Sequence, residues 1–225
     1  MKTFKLPYSE LTPAKALELL RHGNFRFINK LAFDRDHIDS VDLTKDGQTP
    51  FAAIVSCMDS RTSAELIFDQ GFGDVFSLRV AGNVISTDIL GSLEYATAVA
   101  GSKLIVVLGH TNCGAVIGAC NHVKLGNLSP LLAKIEPAVM TEQTIQNNRN
   151  GENLQFVNAV AKLHTIYSVQ EIISKSEIIK GLIDEGKVGI IPAIYDLATG
   201  KVTFFDQEAT INIQEKNKNE AMAMA

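Results

Sequence analysis

Two apolar runs in this chain end on side chains that bind metals well. Phe51-Ala-Ala-Ile-Val-Ser-Cys57 closes on a cysteine, and Lys103-Leu-Ile-Val-Val-Leu-Gly-His110 closes on a histidine. Each run reads as a strand buried on both faces, because it has no polar side to turn toward water. Strands of that kind belong to a parallel sheet covered by helices. Such a sheet delivers the last side chain of each strand to its carboxyl edge, where open α/β sheets hold their ligands. The feature therefore constrains both the architecture and the place where chemistry occurs.

The rest of the chain fits that frame. From Pro50 onward, strand and helix patterns alternate: a strand over 51–57, a short helix over 62–70 and a strand over 74–80. A helix over 87–100, a strand over 103–109, a helix from Cys113 and another over Leu128–Met140 follow. A long helical pattern covers 152–180, with a break near Ser174. Val188–Ile194 and Val202–Phe205 flank Asp196-Leu-Ala-Thr-Gly200 as a hairpin-like pair. The expected fold is α/β: a central, mostly parallel sheet flanked by helices, with a C-terminal antiparallel edge strand. Residues 1–47 form a helical arm opened by Thr12-Pro13, with residues 34–50 polar and turn-like. The arm packs either on a partner subunit or on its own domain. Residues 48–206 form the α/β core and 207–225 a tail that frays from Gln214.

Composition narrows the function classes. The chain has 225 residues, 46% hydrophobic and 20% charged, which suits one globular domain. A net charge of −4 without a dense basic cluster argues against nucleic acid. Neither an apolar signal core nor a run of about 18 apolar residues is present, so no membrane span and a cytoplasmic location are expected. Three cysteines are too few, and odd in number, for a disulfide framework. The absence of Cys-x-x-Cys removes a thioredoxin-type reading.

Cys57, His110 and Cys113 together are a donor set for zinc. Three protein ligands leave the fourth tetrahedral position open, as a catalytic site requires. His110 and Cys113 sit on one strand-to-helix turn, and Cys57 arrives from a neighbouring strand. A water in the open position would ionise toward neutral pH. Asp59 and Arg61 follow Cys57 at alternate positions. Asp59 could bind the metal itself. Alternatively, a bidentate Arg61 holds its carboxylate off the metal, where it accepts a hydrogen bond from the bound water. A plain surface ion pair is the bland alternative. The Gly114 N–H could bind an anionic oxygen, or Gly114 could serve tight packing alone. Two rivals to zinc also stand: a Cys57 nucleophile with His110 as base, and a buried disulfide. Cys120 reads as a small buried hydrophobe. His22, His37, His122 and His164 lack ligand-like spacing and read as surface or helix-packing residues.

Cys57-Met-Asp-Ser-Arg61 and Gly109-His-Thr-Asn-Cys-Gly114 resemble the two metal-site segments of the β-class carbonic anhydrases. Gly73–Asn83, Gly91-Ser-Leu-Glu-Tyr95, Gly186-Lys-Val-Gly and Tyr195–Gly200 are similar to further stretches of that family, so the likeness spans roughly residues 45–206. It implies Zn²⁺ on Cys57, His110 and Cys113, and a catalytic dyad of Asp59 and Arg61. The implied reaction is reversible hydration of carbon dioxide to bicarbonate and a proton by zinc-bound hydroxide. The family also implies a homodimer or higher homo-oligomer, with active sites at the subunit interface. Gln48, Phe76 and Tyr95 match the substrate pocket of the subgroup whose zinc is accessible. The other subgroup uses a Trp, and this chain has none. Met58 and Val80-Ala-Gly82 depart from the common pattern without removing a ligand. Carbonyl sulfide or carbon disulfide is the rival substrate class, and a non-catalytic zinc or anion-binding module is the rival function.

Overall fold

The computed structural model describes residues 11–211; the first ten residues of the arm and the tail from Gln214 lie outside the described residues. The strands are β1 (Ala52–Ser56), β2 (Val75–Arg79), β3 (Leu104–His110), β4 (Gly189–Tyr195) and β5 (Val202–Phe204). They form one sheet in the order β2-β1-β3-β4-β5. β1, β2, β3 and β4 are parallel, and β5 returns antiparallel on β4. The helices are α1 (Pro13–Ile28), α2 (His37–Thr44), α3 (Ala64–Ile67), α4 (Thr87–Glu94), α5 (Gly114–Cys120), α6 (Leu128–Leu132), α7 (Glu136–Thr141), α8 (Leu154–Lys175) and α9 (Glu177–Asp184). The expected α/β class, with its antiparallel edge, is what the chain adopts.

β1 and β3 lie inside the sheet and every residue of each is buried, which is why both read as unbroken apolar runs. Alternate residues feed opposite cores. Ala52, Ile54, Leu104, Val106 and Leu108 pack under α1 and α3. Ala53, Val55, Ile105 and Val107 pack under α4 and α9. Each large side chain fully removed from water there contributes about 1.5–3 kcal/mol. Edge strand β2 is half-exposed instead.

α1 starts as its sequence suggests, with the Thr12 hydroxyl capping Lys15 N–H and Pro13 in the first turn. Its inner face belongs to this chain's own core: Ala16, Leu17 and Leu20, with Leu11 just ahead of the helix, pack on the sheet. Buried Asn24 donates to the Ile67 and Gly200 carbonyls and accepts from Val202 N–H. Phe25, Ile28, Leu31, Ile38 and Leu43 stay exposed on the outer side.

Several boundaries differ from the sequence reading. Residues 37–44 are helical, not turn-like, because the Asp36 carboxylate caps Ile38 and Asp39 N–H groups. The single helix expected over 128–140 is two short ones, α6 and α7. Pro137 opens α7 and cannot continue a helix that runs through residue 133. The break expected near Ser174 falls at Ser176, which ends α8 and caps α9 with its hydroxyl. Ahead of the stretch expected to fray, Thr210 exchanges both backbone hydrogen bonds with Ile190 of β4.

Candidate metal centre

The carboxyl edge of the sheet gathers the ligand candidates. Cys57 follows β1 directly, His110 ends β3, and Cys113 stands just ahead of α5. Their donor atoms all lie within 4.8 Å of one another, and all three residues are buried. Gly109 makes this approach possible. A Cβ there would sit 2.4 Å from Thr165 Oγ1 and 2.8 Å from Ile194 Cδ1, so α8 could not close over the end of β3.

The geometry separates the alternatives. The two sulfurs are 3.9 Å apart and both cysteines are free. A disulfide needs about 2.05 Å, so that alternative falls. Two Zn–S bonds of about 2.3 Å at a tetrahedral angle would set sulfurs about 3.8 Å apart, which this spacing fits. His110 Nδ1 lies 2.9 Å from the Thr111 carbonyl oxygen. A carbonyl only accepts, so Nδ1 carries a proton and Nε2 presents its lone pair. That Nε2 is buried and has no hydrogen-bond partner. An orphaned buried acceptor facing two sulfurs is the arrangement a metal ligand requires. A Cys57–His110 nucleophile pair would leave the equally close Cys113 without a role.

Electrostatics around the sulfurs point the same way. Hydrogen bonding from the Cys113 thiol is the largest influence on Cys57, with help from the neighbouring His110 side chain and then from the Asp59 and Gly82 N–H groups at 3.4 and 3.3 Å. Against the opposing effect of burial, these hold the Cys57 thiol down to about 4. The same shared proton, together with burial, drives Cys113 upward, while the Val116 and Ala115 N–H groups of α5 pull it back. Without a cation, the pair keeps one proton between two sulfurs.

Asp59 is held beside this group and is not part of it. Arg61 donates from Nε and from its backbone N–H to Oδ1, at 2.9 and 3.0 Å, and from a terminal nitrogen to Oδ2 at 2.7 Å. That bidentate grip keeps the Asp59 carboxyl well below the usual carboxylate range, against a smaller desolvation effect. Its side chain is only 17% exposed, which sets it apart from a loose surface pair. The turn that carries it is braced from behind. The buried Thr62 hydroxyl donates to the Cys57 and Asp59 carbonyls at 3.0 and 2.9 Å. Arg79 of β2 reaches the same two carbonyls.

Of the remaining expected site residues, Gly114 directly follows Cys113, while Phe76, Tyr95 and Gln48 stand apart from the metal group. Phe76 and Tyr95 meet edge to face with ring centroids 6.2 Å apart. They line a cleft of about 560 Å³ with Ser77, Leu78, Thr87, Asp88, Gly91 and Ser92, and no metal-group residue lines it. Phe76 pairs with Ala53, four residues before Cys57. That is about 13 Å back along the strand direction at roughly 3.3 Å per residue. Gln48 is exposed on the loop before β1. Gly114 is exposed, and a Cβ there would touch nothing within 4 Å, so tight packing does not explain it. Cys120 is core, as expected. His22, His37 and His122 are exposed and His164 is a helix-packing residue. Sequence reasoning missed Thr62, Arg79 and Gly82. Arg79 and Gly82 were visible only as members of the similar stretch 73–83.

Comparison with known proteins decides the family. The profile of the carbonic anhydrase family matches residues 52–202. The chain belongs to the β-carbonic anhydrase family. Carbonic anhydrase 2 of Mycobacterium tuberculosis is 35% identical over 205 residues, spanning 88% of this chain and 96% of that protein. The carbonic anhydrase of Mycolicibacterium smegmatis is 32% identical, spanning 84% of this chain and 92% of its own length. Among solved structures, the Coccomyxa β-carbonic anhydrase bound to acetazolamide shares the fold, with a TM-score of 0.66 at 22% identity over 83% of this chain and 85% of that one. A tetrameric β-carbonic anhydrase of Sordaria macrospora gives 0.64 at 24% identity over 86% and 92%. Among the described residues, no helix is long and apolar enough to cross a membrane.

Proposed function

We propose that the chain is a zinc carbonic anhydrase that interconverts carbon dioxide with bicarbonate and a proton. One observation carries the reading: a buried Cys57–His110–Cys113 group with a free imidazole lone pair stands beside a carboxylate held by Arg61. Zinc is the cation that suits two sulfurs and one imidazole at tetrahedral spacing. When bound, it supplies the Lewis acidity that brings a water's ionisation toward neutral pH.

The chain's own residues supply orientation. Asp59 stays ionised because Arg61 satisfies it, so it can only accept a hydrogen bond. An O–H facing it is turned so that a lone pair points at incoming carbon dioxide. Arg61 also prevents Asp59 from swinging onto the metal, which supports the accessible subgroup. The open space at Gly114 gives bicarbonate room near the turn, with the Gly114 N–H as a donor.

Gln48, Phe76 and Tyr95 are assigned to the substrate pocket, with the two rings as an apolar wall. Their separation from the metal group within one chain supports a homodimer or higher homo-oligomer. In it, one subunit's aromatic cleft would meet its partner's centre. The exposed apolar residues of α1 and α2 support the arm as part of that contact. Free Cys57, Cys113 and Cys120 accord with a reducing compartment such as the cytoplasm.

Stopped-flow hydration of carbon dioxide, on protein of measured metal content, tests the reading. The expected result is one zinc per chain and a rate that scales with zinc. Zinc-loaded protein that leaves the uncatalysed rate unchanged would refute it.

A further inference from the structure

We propose that His164 is a positioning residue for the metal centre, acting through the Gly82 turn on the Cys57 sulfur. The inference rests on the metal reading above and extends it to a residue outside the ligand set and the dyad.

The buried stripe of α8 recurs at Phe156, Val160, His164, Ser168 and Ile172. The middle of that stripe is where a large apolar side chain would pack best. A histidine stands there instead, only 3% exposed. Its Nε2 lies 2.9 Å from the Gly82 carbonyl oxygen. A carbonyl only accepts, so Nε2 donates, and the imidazole spends its proton on one backbone group. Burial pushes its pKa down, in keeping with a neutral donor.

Gly82 is the other half of the device. It has φ +62°, and the following Asn83 has φ +46°, so the chain makes two left-handed steps in succession. Glycine and asparagine take positive φ readily, and the Asn83 N–H closes the turn on the Val80 carbonyl at 3.0 Å, so the turn is locally allowed and its surroundings decide where it points. Packing supplies part of the restraint, since a Cβ on Gly82 would lie 2.8 Å from Ile135 Cδ1 and 3.0 Å from Ala115 Cβ. His164 supplies the directional part. Its bond draws the Gly82 carbonyl toward α8, while the Gly82 N–H points at Cys57 Sγ at 3.3 Å. The carbonyl and the N–H belong to different peptide units, so the effect is one of aim and not of relayed polarisation. An N–H aimed at a ligand sulfur takes up part of its charge and fixes its direction, and outer partners of this kind commonly set metal affinity.

His164→Leu keeps bulk and removes the donor. His164→Gln keeps a donor able to reach the same carbonyl. Zinc affinity is read by competition with a chelating dye. The cobalt(II)-loaded protein reports the sulfur–metal bond through its thiolate charge-transfer bands. His164→Leu is expected to bind zinc about 10- to 100-fold more weakly, with shifted cobalt bands, and His164→Gln to recover most of both. A merely structural role would lower the thermal midpoint of the metal-free protein and leave the bands in place. A folded His164→Leu with wild-type affinity and bands overturns the proposal. If that variant does not fold, wild-type protein still decides. The His164 side-chain N–H resonance, assigned by its loss in His164→Gln, is expected to move on zinc loading, and an unmoved resonance overturns the proposal. A wild-type chain that shows no thiolate-to-cobalt band overturns the metal reading as well, which separates the two failures.

Discussion

The turn after β1 and the turn after β3 each bring a sulfur to the same point, yet they are held by different chemistry. The β1 turn is braced by charge. Arg79 grips the carbonyls of Cys57 and Asp59 from β2, and Arg61 grips the Asp59 carboxylate. The β3 turn is braced by neutral groups. Thr111 N–H donates to the Tyr195 carbonyl, Leu197 N–H to the Thr111 hydroxyl, and Asn112 N–H to the Asn158 side chain. The difference follows the charge each turn carries. The β1 turn carries the Asp59 carboxylate, and the guanidinium groups that hold it in place remain partly hydrated. The β3 turn is also exposed at Asn112 and Gly114, but it carries no charged side chain, and neutral partners from β4 and α8 satisfy its N–H groups. One turn is held through charged groups, and the other through neutral ones.

The largest effect should ignore that difference. Cys57→Ser, His110→Asn and Cys113→Ser each remove a ligand, so all three should lose stoichiometric zinc. Hydration should fall by more than the roughly 10- to 100-fold typical of an outer partner. Metal analysis alongside stopped-flow rates checks this, and a variant that keeps both zinc and rate removes its residue from the ligand set. Next, Asp59→Asn should lower turnover by about 10²-fold while zinc stays bound, because the orienting acceptor is lost and the ligands are not. Unchanged turnover would leave the β1 turn with no catalytic charge to manage.

Smaller effects test the braces themselves. Arg79→Leu strips two carbonyls of their charged donor and should destabilise the chain by about 1–3 kcal/mol, with a fall in turnover. Asn158→Leu removes one neutral acceptor from an exposed N–H and should cost about 0.5–1.5 kcal/mol with turnover little changed. Urea unfolding and kinetics on both variants would break the comparison if Asn158→Leu proved the more damaging to turnover. The smallest effect concerns acid. Asp196 follows β4 and accepts from Thr199 N–H and hydroxyl and from Ala198 N–H, which together hold its carboxyl below the ordinary value. A depressed folded pKa gives stability that is fully present above the unfolded value, about 3.9, and lost as pH falls through the folded value. Asp196→Asn should therefore lower stability modestly at pH 7 and flatten the acid limb, so that variant and parent converge as pH falls below about 4. Thermal midpoints measured across that range check it.

Much of the sheet was readable because burial on both faces leaves a plain mark. β1, β3 and β4 each announce themselves as apolar runs, and the short β5 follows from the Asp196–Gly200 turn. The helices over 37–44 and 128–141 were less legible. The first depends on one Asp36 cap over a polar stretch, and the second on where Pro137 interrupts an otherwise helical pattern. At the site, Cys57, His110 and Cys113 were legible because each ends a strand or a strand-to-helix turn. Thr62, Arg79, Gly82 and His164 were not, because a threonine or histidine that serves a distant backbone group has no local pattern. Nor could spacing tell that the Phe76–Tyr95 cleft stands apart from the metal group.

By itself, the order of residues determined which side chains reach the sheet's carboxyl edge, since strand period and turn position are local properties. It also determined that three soft donors would be available there. Only the tertiary structure decided that the sulfurs stop 3.9 Å apart without joining, that His110 turns its free nitrogen inward, and that Gly82 aims its N–H at Cys57. Those outcomes depend on contacts between segments far apart in the chain, where packing and hydrogen bonding choose among conformations that each segment alone leaves open.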